Sequence, residues 1–189
     1  LREFEENVRS IGRILELDAL LSFSLTQWAG RHGLQKVARP ISHSADSWVW
    51  LGGFFFFGIL IPSQRCWAGI GFIATFLLAS LVFALKALIR RERPQPAHDW
   101  IYVLTDEHSF PSGHAARGVF VTMFALHLGR PEIFLGLLVW AMLVSLSRLV
   151  LGVHYVSDVL VGMLIGGIWG GLLLDAWPNL ISFCGTLGF

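Results

Sequence analysis

Residues 66–85 read CWAGIGFIATFLLASLVFAL, twenty positions without a charge. A helix rises about 1.5 Å per residue, so such a run covers about 30 Å, the thickness of a bilayer's hydrocarbon core. Hydrocarbon offers no hydrogen-bond partners, so the backbone must satisfy itself. A single run of this length does so as a helix. Further apolar stretches lie at 48–61, 118–129, 133–147 and 159–174. The third reaches spanning length if its helix starts at Pro111, and the fifth if its helix starts near His154. Composition agrees: 54% of the 189 residues are hydrophobic and 14% charged, against about a quarter charged in soluble domains. Mean hydropathy is +0.64. The expected fold is all-α, an integral-membrane helical bundle of about five transmembrane helices.

The first 45 residues differ. Charges interrupt their apolar positions, which predicts amphipathic helices lying on the membrane surface. The chain thus divides into an interfacial segment, 1–45, and a transmembrane core, 46–189, within one domain. It begins at Leu1 and not Met, which suggests a trimmed N-terminus. Eight Trp and fifteen Phe suit an aromatic belt at the bilayer interface. Cys66 and Cys184 lie in separate apolar segments and read as buried thiols in preference to a disulfide. No Cys/His spacing suggests a metal site, and a net charge of +1 with scattered arginines gives no footprint for nucleic acid. Gly162, Gly166 and Gly170 recur every fourth residue beside a second row, Gly167 and Gly171. Such rows allow close helix approach, here within the chain in preference to a dimer.

Three polar clusters interrupt the apolar pattern. The second span ends in LKALIRRERP. A helix continued to Pro94 would align Lys86, Arg90 and Arg93 on one stripe. Taken alone, these cations also fit snorkelling at a span's end. The stretch SFPSGH, 109–114, opens the third span. Helix starts present unpaired N–H groups and a partial positive charge, and so attract anions. The fourth span ends in SRLVLGVHYVSD. There Gly152 permits a turn, and His154 and Asp158, four apart, would share a helix face. A carboxylate holding one imidazole nitrogen leaves the other as base or nucleophile. Because spans alternate in direction, all three clusters meet at one membrane face. Polar groups gathered there mark function by default.

Lys86-x6-Arg93-Pro94, Pro111-Ser112-Gly113-His114 and Ser147-Arg148-x5-His154-x3-Asp158 together resemble the three-part signature of the type-2 phosphatidic acid phosphatase superfamily, which includes vanadium haloperoxidases. The resemblance covers residues 48–174. It implies a lipid phosphate phosphatase that needs no metal or other cofactor and works through a phosphohistidine. In that scheme His154 attacks phosphorus, Asp158 orients it, and His114 protonates the leaving oxygen. Lys86, Arg93 and Arg148 hold the phosphoryl oxygens, supplemented by Ser112 and the Gly113 N–H. The chemistry agrees, since phosphoryl transfer rests on positioning and charge neutralisation.

The expected partners are membrane lipids and a phosphorylated lipid substrate: phosphatidic acid, phosphatidylglycerol phosphate, a polyprenyl phosphate or diphosphate, or lipid A. Alternatives are a phosphotransferase using the same phosphohistidine, and a non-catalytic lipid-phosphate binder or transporter. Arg90 and Arg91 match no signature position and read as solvated or snorkelling. His98 and His108 read as surface residues, and His127 as structural. The location is a cell membrane, with the bacterial inner membrane expected. For the face, the resemblance favours the outer side, which is the expectation adopted. The Lys/Arg distribution favours a cytoplasmic site, because only Arg65 and Arg130 fall on the opposite side.

Overall fold

The computed structural model describes residues 2–94 and 107–186, and every regular element in them is helical. Two helices precede the bundle, α1 (Arg2–Arg31) and α2 (Gln35–His43). Five more build it: α3 (Ser47–Leu60), α4 (Arg65–Ile89), α5 (Gly113–Phe124), α6 (Pro131–Val150) and α7 (Val156–Thr186).

Three helical stretches are long and apolar enough to cross a membrane: Pro62–Ile89, Pro131–Val150 and Val156–Thr186. Ser47–Leu60 is a shorter apolar helix. The expected third span is different in kind. α5 has 12 residues and passes into a 3-10 turn, Ala125–Leu128, and ten of the 12 are buried. It lies at the centre of the bundle, packed against α4, α6 and α7. α7 runs well past the apolar stretch at 159–174, to Thr186.

Small residues let α7 approach α5. A Cβ added at Gly162 would collide with Ser112 O, one at Gly166 with Ala116 O, and one at Gly170 with Met123 Cβ at 2.5 Å. The second row is looser, with open space at Gly171. The glycine stripe therefore serves packing within the chain. Beside this contact lies an apolar core of Phe54, Leu78, Val82, Phe120 and Phe124. Trp50, Trp67, Trp140, Trp169 and Trp177 pack against it, while Trp28 and Trp48 are exposed. Much of the tryptophan thus fills the bundle and only part is placed for an interfacial belt. Outward faces of α3, α4, α6 and α7 present Phe55, Phe76, Val139 and Leu164, as a lipid-facing surface requires.

α1 inverts the usual pattern of a soluble helix. Asp18, Ser22 and Thr26 are buried, while Leu17, Leu20, Leu21, Phe23 and Trp28 are exposed. Its polar stripe meets the protein, and its apolar residues face outward.

At the end of the bundle remote from the polar clusters, Cys66 and Cys184 form a disulfide with Cα atoms 5.9 Å apart. This corrects the expectation of two thiols. The residues are 118 apart in sequence, but α4 begins where α7 finishes, so the two meet. His127 lies at the same end, stacked on Trp177 with ring centroids 3.6 Å apart.

Candidate active site

The opposite end gathers the buried ionisable side chains of the described residues. Lys86, Ser112, His114, Arg148, His154 and Asp158 are all buried, with Lys86 the most exposed at 6%. Unpaired charges so deeply buried would cost several kcal/mol each, so the local structure supplies partners.

α4 ends earlier than expected. Arg90 adopts a left-handed conformation (φ 52°) and its N–H caps Lys86 O. The anticipated helical stripe of Lys86, Arg90 and Arg93 does not form. Lys86 Nζ reaches back from the last turn to donate to His108 O at 2.5 Å. Arg93 arrives on non-helical chain and donates to Val153 O at 3.4 Å. Arg93 thereby joins the turn that carries His154, which a helix would have prevented.

The SFPSGH stretch is a helix start, with a shift of register. Ser112, not Pro111, precedes α5, and its Oγ accepts the Ala115 N–H at 3.5 Å. The Ser112 N–H donates to Asp158 O at 2.9 Å, fastening the starts of α5 and α7 together. Gly113 and His114 thus occupy the first turn, where N–H groups and the helix dipole favour an anion. His114 Nε2 donates to Asp46 Oδ1 at 2.7 Å.

Asp46 stands immediately before α3 and is 8% exposed. Its second oxygen accepts from His43 Nδ1 at 3.0 Å and Trp48 Nε1 at 3.2 Å. Asp46 was not among the residues singled out from sequence. A lone Asp before an apolar run is the signature of a helix cap, and only the fold sets it beside His114.

His154 lies in the turn between α6 and α7, not inside the helix, because Gly152 (φ 68°) ends α6 and the chain re-enters a helix at Val156. His154 Nδ1 stands 3.6 Å from Asp158 Oδ2, an ion-pair distance longer than a hydrogen bond. Its Nε2 lies 3.4 Å from Arg148 Nη2. A guanidinium can only donate, so Nε2 is the accepting nitrogen and the ring proton belongs on Nδ1, facing the carboxylate. That tautomer leaves a lone pair next to a cation. Arg148 also donates through Nη1 to Ser42 Oγ on α2.

All eight residues expected at the site are therefore brought to one end of the bundle. His108 contributes its carbonyl there, and His98 lies outside the described residues. Two cations buried beside a helix start, with two imidazoles each facing a carboxylate, have the chemistry to take an anion and move a proton.

Comparison with known proteins bears on the family and the fold. The model of the PAP2 superfamily matches residues 66–182. The decaprenylphosphoryl-5-phosphoribose phosphatase of Mycobacterium tuberculosis is 35% identical over 150 residues, covering 76% of this chain and 80% of that protein. The lipid A 1-phosphatase of Rhizobium johnstonii is 31% identical over 168 residues, covering 84% of this chain and 59% of that protein. Among solved structures, Aquifex aeolicus LpxE superposes with a TM-score of 0.65 at 27% identity, covering 85% of this chain and 94% of the other.

Proposed function

The chain belongs to the PAP2 superfamily of membrane lipid phosphatases, and from that premise we propose that it removes the phosphate of a phosphorylated lipid through a phosphohistidine on His154. The observation that carries this reading is the Arg148–His154–Asp158 arrangement. It presents the unprotonated Nε2 next to a buried guanidinium, with the other ring nitrogen turned to a carboxylate.

Lys86, Arg93 and Arg148 neutralise the phosphoryl oxygens, with Ser112 and the first-turn N–H of Gly113 completing the cradle. His154 Nε2 attacks phosphorus in line as the bond to the lipid oxygen breaks, and His114 delivers a proton to that oxygen. Water then attacks the phosphoenzyme and gives up its proton to His114. The P–N bond breaks, and inorganic phosphate leaves. Three fixed cations and a helix start supply the charge neutralisation that other phosphotransferases draw from Mg²⁺, so the reaction proceeds without a metal.

The substrate is an amphiphile whose phosphate sits at headgroup depth. The Mycobacterium relative is named for a polyprenyl-linked phosphoribose and the Rhizobium relative for lipid A. The first of these covers more of its own length, so a polyprenyl-linked sugar phosphate heads the candidates.

For the face, the structure adds weight against the outer side expected from the resemblance. α1 docks at the site end, so Arg13, Arg31, Lys36 and Arg39 belong to that face, and Arg65 and Arg130 to the other. The disulfide lies at the latter end, and disulfides persist in oxidising compartments. Both features support a site that faces the cytoplasm.

The test is phosphate release by the purified full chain from a panel in mixed micelles: a polyprenylphosphoryl phosphoribose, lipid A, phosphatidylglycerol phosphate and phosphatidic acid. Turnover of at least one, with acid-labile ³²P trapped on His154 and absent from His154→Ala, is the expected result. Turnover without that adduct, undiminished in His154→Ala, would overturn the mechanism.

A further inference from the structure

Arg91 belongs to no part of the signature, yet it occupies a built position. Nη1 donates to Asp158 Oδ1 at 2.6 Å and to Ser157 Oγ at 2.7 Å. Nη2 donates to Asp18 Oδ2 of α1 at 2.8 Å. The guanidinium lies 3.8 Å above the Tyr155 ring, a cation–π contact that further fixes its plane. This planar fork holding two carboxylates is a geometry lysine cannot reproduce.

α1 completes the arrangement along its polar stripe. Asp18 Oδ1 accepts the Ser157 N–H at 3.0 Å, and Ser22 Oγ accepts the Val156 N–H at 3.0 Å. Thr26 Oγ1 donates to Leu149 O at 2.9 Å, at the end of α6. Spaced by four, these three side chains cover the last turn of α6 and the first of α7. The first N–H groups of a helix have no partners within it, and here another helix supplies them. An aspartate at that position also complements the α7 dipole.

Asp158 is consequently held from two sides. Oδ1 is taken by Arg91, and Oδ2 accepts the Tyr155 N–H at 2.8 Å while facing His154. Burial works against the charge on Arg91, yet hydrogen bonding to Asp18 and the charges of Asp158 and Asp18 raise its pKa above the ordinary value. The cation therefore remains in place at every working pH.

We propose that Arg91 and Asp18 are positioning residues for the phosphatase reaction, a clamp through which the interfacial helix α1 sets the Asp158 carboxylate against His154. The inference rests on the functional reading above. It assigns Arg91 to holding carboxylates in place of phosphate, because Nη1 donates to Asp158 and Nη2 to Asp18. It also gives α1 a part in turnover, so that seating of the helix at the membrane surface governs the geometry of the nucleophile.

Arg91→Gln and Asp18→Asn, prepared in the full chain, test this with the lipid of the panel above that is turned over fastest and p-nitrophenyl phosphate as substrates and vanadate as inhibitor. Misplacing a reacting group by about 1 Å costs on the order of 100-fold. Arg91→Gln should lower kcat by about that factor, and Asp18→Asn by a smaller one. KM and vanadate inhibition should stay within about twofold of wild type, because neither residue touches phosphate. The loss should be alike for the lipid and the nitrophenyl ester, since the nucleophile serves both, and Arg91→Lys should recover part of it. A kcat unchanged in Arg91→Gln, or a loss that lies in KM and vanadate affinity, overturns the clamp. If Arg91→Gln does not fold, Asp18→Asn decides by the same kcat criterion, since Asn preserves the shape of the side chain. Wild-type chain inactive on every lipid of that panel and on p-nitrophenyl phosphate sinks the functional reading and the clamp together. Active wild type with unaffected variants sinks only the clamp.

Discussion

His114 Nε2 donates to Asp46 Oδ1 across 2.7 Å, joining the first turn of α5 to the residue that precedes α3. Each histidine of the site thus has its own carboxylate, Asp158 for His154 and Asp46 for His114. The two pairs differ in contact, 3.6 Å against 2.7 Å. An imidazole that must hold a proton gains from a short bond to an acceptor. One that must offer a lone pair needs orientation only.

Asp46→Asn should therefore damage protonation of the leaving group and spare nucleophilic attack. Lipid phosphate hydrolysis should fall by about tenfold or more, with His114→Ala nearer 10²–10⁴-fold. p-Nitrophenyl phosphate, whose leaving group needs little protonation, should lose far less in both variants. Rates across aryl phosphates of graded leaving-group pKa check this. Parallel losses along the whole series would remove Asp46 and His114 from the protonation step.

His154→Ala should abolish turnover and still yield a folded bundle, because the histidine sits in a turn outside the α5–α7 packing. Circular dichroism and phosphate release on the same sample separate the two effects. Substantial phosphate release from pure His154→Ala would assign the nucleophile elsewhere.

Vanadate or tungstate should inhibit competitively and EDTA should leave the rate unchanged, because in the proposed mechanism Lys86, Arg93, Arg148 and the α5 start neutralise the phosphoryl group. Titration of each reagent against a lipid substrate measures both. Loss of activity in EDTA that Mg²⁺ restores would overturn the cationic mechanism.

Gly166→Ala should destabilise the bundle, since the new methyl group would meet the Ala116 carbonyl and force α7 away from α5. Overpacking of this kind costs about 1–3 kcal/mol. Gly171→Ala, on the same helix with open space around its position, should be neutral. Thermal unfolding in detergent compares them, and equal midpoints would deny the close approach.

What could be read in the sequence was whatever local chemistry repeats. An uncharged run of twenty residues predicts a spanning helix, and residue types at signature spacing lead to the eight residues that the fold gathers. The rest depends on tertiary placement. Asp46, Asp18 and Arg91 sit in segments whose local pattern reads as a cap, an amphipathic helix and a basic span end. Their partners are 68, 139 and 67 positions away, in His114, Ser157 and Asp158. The Cys66–Cys184 pairing requires knowing that α4 begins where α7 finishes. The early end of α4 was hidden because Arg90 takes a left-handed conformation usually left to glycine.

The final prediction is orientation. α4 enters at Cys66 and reaches the site end at Ile89, and α7 leaves the site end at Val156 and returns to Cys184. The disulfide and the candidate active site therefore lie at opposite ends of the bundle. An oxidised pair requires its own face to be extracytoplasmic, and the excess of cations on the site side points the same way. A reporter fused after Phe189 should accordingly be active as an alkaline phosphatase and dark as a cytoplasmic fluorescent protein. In intact cells, Cys66 and Cys184 should react with an impermeant maleimide only after an impermeant reductant is added. A fluorescent fusion, with thiols that stay unreactive until the membrane is opened, would place the disulfide end inside and return the active site to the outer face.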